Sequence, residues 1–288
     1  DSGAVRDFEG FIVTSDAPNF SVGANLMQVL LAIQDEEWDE IGRYIREFQA
    51  MTQAIKFCSR PVVVAPFGLC LGGGVEVALH AAARQPHIEL YMGLVETGVG
   101  LLPAGGGCKE MTLRALEAAS AVRTNPRGDS VEVNEAIKNI FETIAMAKVS
   151  TSAMEARKSG LLREADGITM NRERLVTDAK SEARKLVDGG FTPPIPRSDI
   201  PVPGEAVLAT LKLGIHMMRE AEYISDHDVK IAGSVANVLC GGSVTPGTLV
   251  SEQYLLDMER EGFLSLCGER KTAERISSTL KTGKPLRN

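Results

Sequence analysis

The stretch RPVVVAPF, residues 60–67, is the most restrictive feature of this chain, because a near-continuous β-branched run after a proline suits a strand buried on both faces. Residues 11–15, FIVTS, have the same character and run into a segment marked as loop by Pro18, Asn19 and Gly23. Between them, Trp38, Ile41, Ile45, Phe48, Met51 and Ile55 recur at threes and fours, the period of an amphipathic helix with Glu37, Glu40 and Arg43 on its polar face. Strand alternating with helix predicts an α/β domain. A further strand over 87–92, HIELYM, leads through a loop containing Gly105, Gly106 and Gly107 into a helix near Lys109. Past residue 125 the strand signal fades into helical segments, with a proline-rich connector at 189–204. The expected division is an α/β core over 1–124, a helical continuation over 125–188, and the connector with a C-terminal helical region over 189–288.

Bulk properties narrow the function. The 288 residues are 44% hydrophobic, enough for a substantial core, and the net charge of -7 comes from interspersed signs. No Lys/Arg block is long enough to follow a phosphate backbone, so nucleic acid is not an expected partner. No apolar stretch approaches the roughly 18 residues of a membrane span. Five cysteines without a CxxC spacing fit a reducing cytoplasm. Cys70 and Cys108 read as buried thiols. His87, His216 and His227 lack ligand spacing, and no metal is expected. The start, DSGAVRDFEG, has neither Met nor a signal peptide and runs at once into a strand, which reads as a piece of a longer polypeptide.

LCLGGGVEVALH, residues 69–80, places Gly72, Gly73 and Gly74 before a helix, with Glu76 alone on an apolar stretch. A P-loop would need GxxxxGK[ST], and a dinucleotide fingerprint GxGxxG with an acid about twenty residues on; neither fits. Glycines that let the backbone approach a ligand and leave an N–H at a helix start suit an oxyanion hole, and that reading also accounts for the acid. His80, one turn after Glu76, reads as a core or interface histidine in preference to an orienting partner. The acidic run 35–40 reads as a solvated helix start.

NFSVGANL, RPVVVAPFGLCLGGGVEVAL and GLVETGVGLLPAGGG, in this order, resemble the crotonase (enoyl-CoA hydratase/isomerase) superfamily. The last residues, from 255 on, are similar to the end of bacterial proteins that fuse a 3-hydroxyacyl-CoA dehydrogenase to a hydratase. The resemblance implies a ββα-superhelix (spiral) core followed by a mostly helical C-terminal region, and an acyl-CoA thioester as substrate. It implies backbone N–H groups of Ala24 and Gly73 as an oxyanion hole, Glu76 and Glu96 as catalytic acids, and Gly23, Leu26, Gly72 and Gly74 along the substrate.

A water addition through a thioester enolate is the expected chemistry. The two acids must differ in protonation: the helix start favours ionised Glu76, and desolvation beside Leu94 and Val95 favours protonated Glu96. The alternatives are Δ3,Δ2-enoyl-CoA isomerisation and a non-catalytic docking or dimerisation module of the dehydrogenase. No cofactor is expected in this chain, NAD belonging to an upstream dehydrogenase; an oligomer or contact with that dehydrogenase is expected. Lys56, Lys109 and Arg114 stand open between CoA phosphates and surface charge. The resemblance departs in lacking the segment that precedes the first strand in complete crotonases, and in Asn25, where Asp is frequent.

Overall fold

A computed structural model describes residues 7–121 and 131–288, so the expected boundary after residue 124 and the first six residues lie outside the described residues. In chain order the elements begin with β1 (Phe11–Val13), α1 (Leu26–Gln34), α2 (Trp38–Lys56), β2 (Val62–Val64), β3 (Leu69–Leu71), α3 (Gly73–His80), β4 (Ala83–Arg84) and β5 (Tyr91–Gly93). A 3-10 turn, Glu96–Val99, precedes α4 (Gly107–Ala121), α5 (Val131–Ala145) and α6 (Ala153–Lys158). A second such turn, Arg172–Arg174, leads into α7 (Leu175–Asp188), followed by β6 (Ile200–Pro201) and α8 (Gly204–Glu220). The chain closes with α9 (Asp226–Leu239), β7 (Leu249–Val250), α10 (Glu252–Cys267) and α11 (Arg270–Thr282).

Two compact units emerge, interleaved along the chain. One holds Asp1–Gly23, Ala50–Gly93 and Val149–Pro196, the other Ala24–Gln49, Leu94–Lys148 and Arg197–Asn288. Interleaving is natural where strands are parallel, since each connection must cross back before the next strand can pair.

The first unit carries the parallel strands. Its three-stranded sheet has the order β1-β2-β4, with Phe11 opposite Val62 and Val63 opposite Ala83. Val63 and Val64 have no exposed surface, as the β-branched run predicted. Leu175, Ala179 and Ala183, four apart on α7, pack on Val63, Ala65, Phe67 and Ala83. The small alanines bring the helix close to the sheet. The expected strand over 60–67 ends early: Gly68 takes φ 56, and a Cβ there would meet Asn19 Oδ1 at 2.6 Å. The chain turns at this glycine into β3, which pairs in parallel with β5.

The second unit is mostly helical. α1 went unpredicted, because LMQVLLAIQ is apolar almost throughout, with polar side chains only at Gln28 and Gln34. Asn25 caps it, its Oδ1 accepting from the N–H of Met27 (3.2 Å) and Gln28 (3.4 Å). The proline-rich connector is not a loose tether: Ile200 and Pro201 pair antiparallel with Val250 and Leu249, and Ile200 and Val202 are fully buried.

In the first unit, buried Arg84 is bound to buried Asp166. Arg84 Nε lies 2.9 Å from both carboxylate oxygens, and the main-chain N–H groups of Arg84 and Arg163 also donate to Asp166. The guanidinium also reaches the Ala81 carbonyl (3.0 Å), beyond the last turn of α3. Replacing Asp166 with Asn leaves a cation buried without its counter-charge, which costs on the order of 3–5 kcal/mol. Urea unfolding of Asp166→Asn should show a loss of this size, and a loss below about 1 kcal/mol would mean that the pair behaves as an exposed one.

Candidate functional site

The glycine turn is built by β3. Leu71 N–H donates to the Ser21 carbonyl (2.9 Å), Ser21 N–H to the Leu69 carbonyl (3.0 Å), and Gly72 N–H to the Gly93 carbonyl (3.0 Å). Gly72 then takes φ 54 and ψ -125, which a side chain would strain. A Cβ on Gly74 would lie 2.5 Å from Ser21 Cβ, so this glycine lets the helix start press on the preceding loop. Gly23, at φ 101, completes that loop, its N–H donating to Ser21 Oγ (3.3 Å).

Val75 and Glu76 N–H both turn back to the Gly72 carbonyl, at 2.8 and 3.2 Å. Among the described residues the Gly73 and Gly74 N–H groups have no acceptor, the ordinary condition of a helix start and the condition an anion needs. Glu76 lies in the first turn of α3 and is 3% exposed. The helix start favours a negative charge there. His80 Nδ1 stands 2.7 Å from the Glu76 main-chain oxygen, which can only accept, so that nitrogen carries the proton. In the neutral ring Nε2 is then the acceptor, 3.4 Å from the Gln53 side-chain nitrogen.

The second unit holds Ala24, Leu26 and Glu96. Ala24 is exposed just ahead of the Asn25 cap, and among the described residues its N–H has no acceptor. Glu96 opens its 3-10 turn and is half-buried, less enclosed than Glu76. Burial alone therefore does not single out Glu96 as the protonated acid.

The sequence reading left three cations open, and the structure assigns one of them. Lys109 is fully buried, with Nζ 2.7 Å from Glu110 and 3.0 Å from Glu252, so it is neither surface charge nor a group presented to a phosphate. Burial pulls the Lys109 pKa down most strongly, but the two carboxylates together overcome it and raise the value. Gly106 and Lys109 N–H each donate at 2.7 Å to the Glu259 carboxylate, which makes the second glycine run a helix entry. Arg114 is buried too, while Lys56 is half-buried beside the Phe57 ring (5.7 Å). Glu252, Glu259, Arg84 and Asp166 were not picked out from sequence. Glu252 and Glu259 had a legible signal, since they share the helical stripe of Leu255, Leu256, Phe263 and Leu266.

Cys70 is fully buried, and burial raises its pKa well above the usual thiol range. Among the described residues no three of His, Cys, Asp and Glu cluster as a metal site requires. Among them, too, no helix is long and apolar enough to cross a membrane.

The profile of the enoyl-CoA hydratase/isomerase family matches residues 7–184. A Bacillus subtilis (strain 168) protein named "Probable 3-hydroxyacyl-CoA dehydrogenase" is 48% identical over 283 residues, 98% of this chain and 34% of its own length. The chain spans about a third of the length of the curated relatives it matches. Among solved structures, an enoyl-CoA hydratase from Bacillus halodurans superposes with a TM-score of 0.60 at 17% identity, over 96% of this chain and 86% of that one. An enoyl-CoA hydratase from Rhodobacter sphaeroides 2.4.1 gives 0.62 at 15% identity, over 99% and 82%. At such identities the likeness speaks for the fold, the crotonase-like α/β core with a helical C-terminal region.

The close approach at Gly74 gives a direct test of how the turn is held. Gly74→Ala should lower stability by about 1–3 kcal/mol through overpacking, and Ser21→Gly in the same chain should recover part of it. Thermal unfolding of the single and double variants measures both, and an unaltered melting point for Gly74→Ala would show that the loop yields.

Proposed function

The chain belongs to the enoyl-CoA hydratase/isomerase family, and from that premise we propose that it is a hydratase, adding water to a trans-2-enoyl-CoA to give a 3-hydroxyacyl-CoA in fatty-acid β-oxidation. What carries the reading is a coincidence at the start of α3: an N–H without an acceptor at Gly73 and a buried carboxylate three residues on, at Glu76. The amide suits the thioester oxygen, where charge gathers in the transition state, and Ala24 N–H is assigned the second such contact. One donor of this kind typically contributes about 10²–10³-fold in rate. Gly23, Leu26, Gly72 and Gly74 are assigned to the substrate path.

In this reading Glu76 takes a proton from water as its oxygen bonds to Cβ, and the C=C electron pair moves toward the thioester oxygen. Glu96 then gives a proton to Cα. One proton taken and one given, with the hydroxyl, amount to one water added. Retention of both acids supports hydration over isomerisation, for which a single acid can shuttle the proton.

The product, a 3-hydroxyacyl thioester, is what a 3-hydroxyacyl-CoA dehydrogenase oxidises. The name of the Bacillus subtilis relative and the third of its length that this chain spans support a place as the hydratase part of such a fusion. Hydration itself needs no redox cofactor, and NAD would serve the dehydrogenase.

Loss of the enone absorbance of crotonyl-CoA measures hydration. Glu76→Gln should reduce it by about 10²–10⁴-fold while sparing Δ3,Δ2-enoyl-CoA isomerisation. Hydration by Glu76→Gln at the parent rate would overturn the role of Glu76.

A further inference from the structure

Glu96 stands on a turn of four residues, Glu96–Val99, which Gly100 ends at φ 89. So short a turn cannot fix its own geometry, so its position depends on what grips it. Thr97 Oγ1 donates to the Ile144 carbonyl (3.0 Å). A Cβ on Gly98 would stand 3.7 Å from Pro285, which places the last residues of the chain against the turn. The closest grip comes from α11: Thr272 Oγ1 donates to the Gly100 carbonyl at 3.0 Å, and a Cβ on Gly100 would meet Thr272 Oγ1 at 2.9 Å and its Cα at 3.0 Å.

The Thr272 hydroxyl is itself oriented. His227 Nε2, in the first turn of α9, lies 3.0 Å from Thr272 Oγ1, and both residues are almost wholly buried. The single hydroxyl proton goes to the carbonyl, which only accepts, so Nε2 must be the donor. The imidazole then holds one proton, on Nε2. No hydrogen-bond partner for Nδ1 lies among the described residues, so a second proton would be buried with no acceptor. Burial, and after it the Arg275 charge, keep the His227 pKa below its ordinary value. One residue further along α9, Asp228 pairs with Arg275 of α11 at 2.7 Å, which holds the two helices in this alignment.

We propose that Thr272, oriented by His227, is a positioning residue that sets the Glu96 carboxyl for proton delivery through the Gly100 carbonyl. The inference rests on the role of Glu96 in the hydration reading above. A hydroxyl that holds a turn acts on the chemical step more than on binding, because a misplacement of about 1 Å costs up to 10²-fold.

The experiment is steady-state crotonyl-CoA hydration by the full polypeptide carrying Thr272→Val, which keeps the volume and removes both hydrogen bonds. Its kcat should fall about tenfold, with KM changing less than twofold, and Thr272→Ser should restore kcat to within twofold of the parent. His227→Asn should lower kcat in the same sense, and joined to Thr272→Val it should add little, since both lie on one hydrogen-bonded chain. Unchanged kcat in Thr272→Val, or a serine variant as slow as the valine one, overturns the proposal. If the valine variant does not fold, the same criterion is read from His227→Asn, whose unchanged kcat also overturns it. Failure of the hydration reading shows elsewhere, as a parent that does not hydrate crotonyl-CoA or a Glu96→Gln variant that hydrates it normally.

Discussion

A carboxylate sealed from water must be answered inside the protein, and the second unit is organised around one such answer. Glu259 has no exposed surface and accepts from the N–H groups of Gly106 and Lys109, at the start of α4. That is where a helix offers unpaired amides and partial positive charge. The need is sharpened by composition: Glu110, Glu252 and Glu259 lie in the same buried neighbourhood, with Lys109 as the ammonium that pairs with the first two. Backbone amides of a glycine-rich helix entry therefore carry part of the compensation. Gly106 at φ 99 is the position that turns its N–H toward the acid. Glu252 in turn accepts from Arg197 N–H (3.2 Å), so the arrangement reaches the segment leading to β6.

In the first unit the same economy of buried charge supports α3, and with it Glu76. The helix is fixed at both ends by different means. At its start, Gly74 lies against Ser21 with no room for a side chain, while β3 is held in register by Ser21 and β5. Past its end, the Arg84 guanidinium, bound by Asp166, meets the Ala81 carbonyl. An acidic residue in the first turn and a cation beyond the last both suit the helix dipole.

What could be read from the sequence followed the range of the interaction that fixes each element. The β2 run and the α2 period are local patterns, and both were legible, as was the glycine turn that carries Glu76. Strand 60–67 was legible as a strand but not in its extent, because the break at Gly68 is decided by Asn19, nearly fifty residues away, whose side chain accepts from Leu69 N–H. The proline-rich segment read as a linker because only its pairing with Leu249 and Val250 makes it a strand. Lys109 was visible as a charge beside a glycine run, yet its partner Glu252 comes from another helix, and no local pattern joins them. Asn25, noted as a departure from the frequent Asp, keeps the capping oxygen that α1 needs, so the substitution is conservative in its structural effect.

The two acids reach their places by unequal means, and the difference bears on which parts of the chain matter to chemistry. Glu76 is carried by a regular helix, held at its start by Ser21 and past its end by Arg84, which Asp166 binds. Glu96 sits on a turn whose supports are distant: Ile144 on α5, Thr272 on α11 and Pro285 near the end of the chain. The turn that bears Glu96 is therefore held by the C-terminal helices. The Asp228–Arg275 pair, buried where α9 meets α11, is remote from Glu96 in sequence yet sits one turn from Thr272. Burial pushes the Asp228 carboxyl up, but the Arg275 guanidinium and the Ser225 N–H outweigh it and hold it at about 2, so the pair stays ionised across the neutral range. A helical region whose sequence suggests only packing thus grips a turn more than a hundred residues earlier.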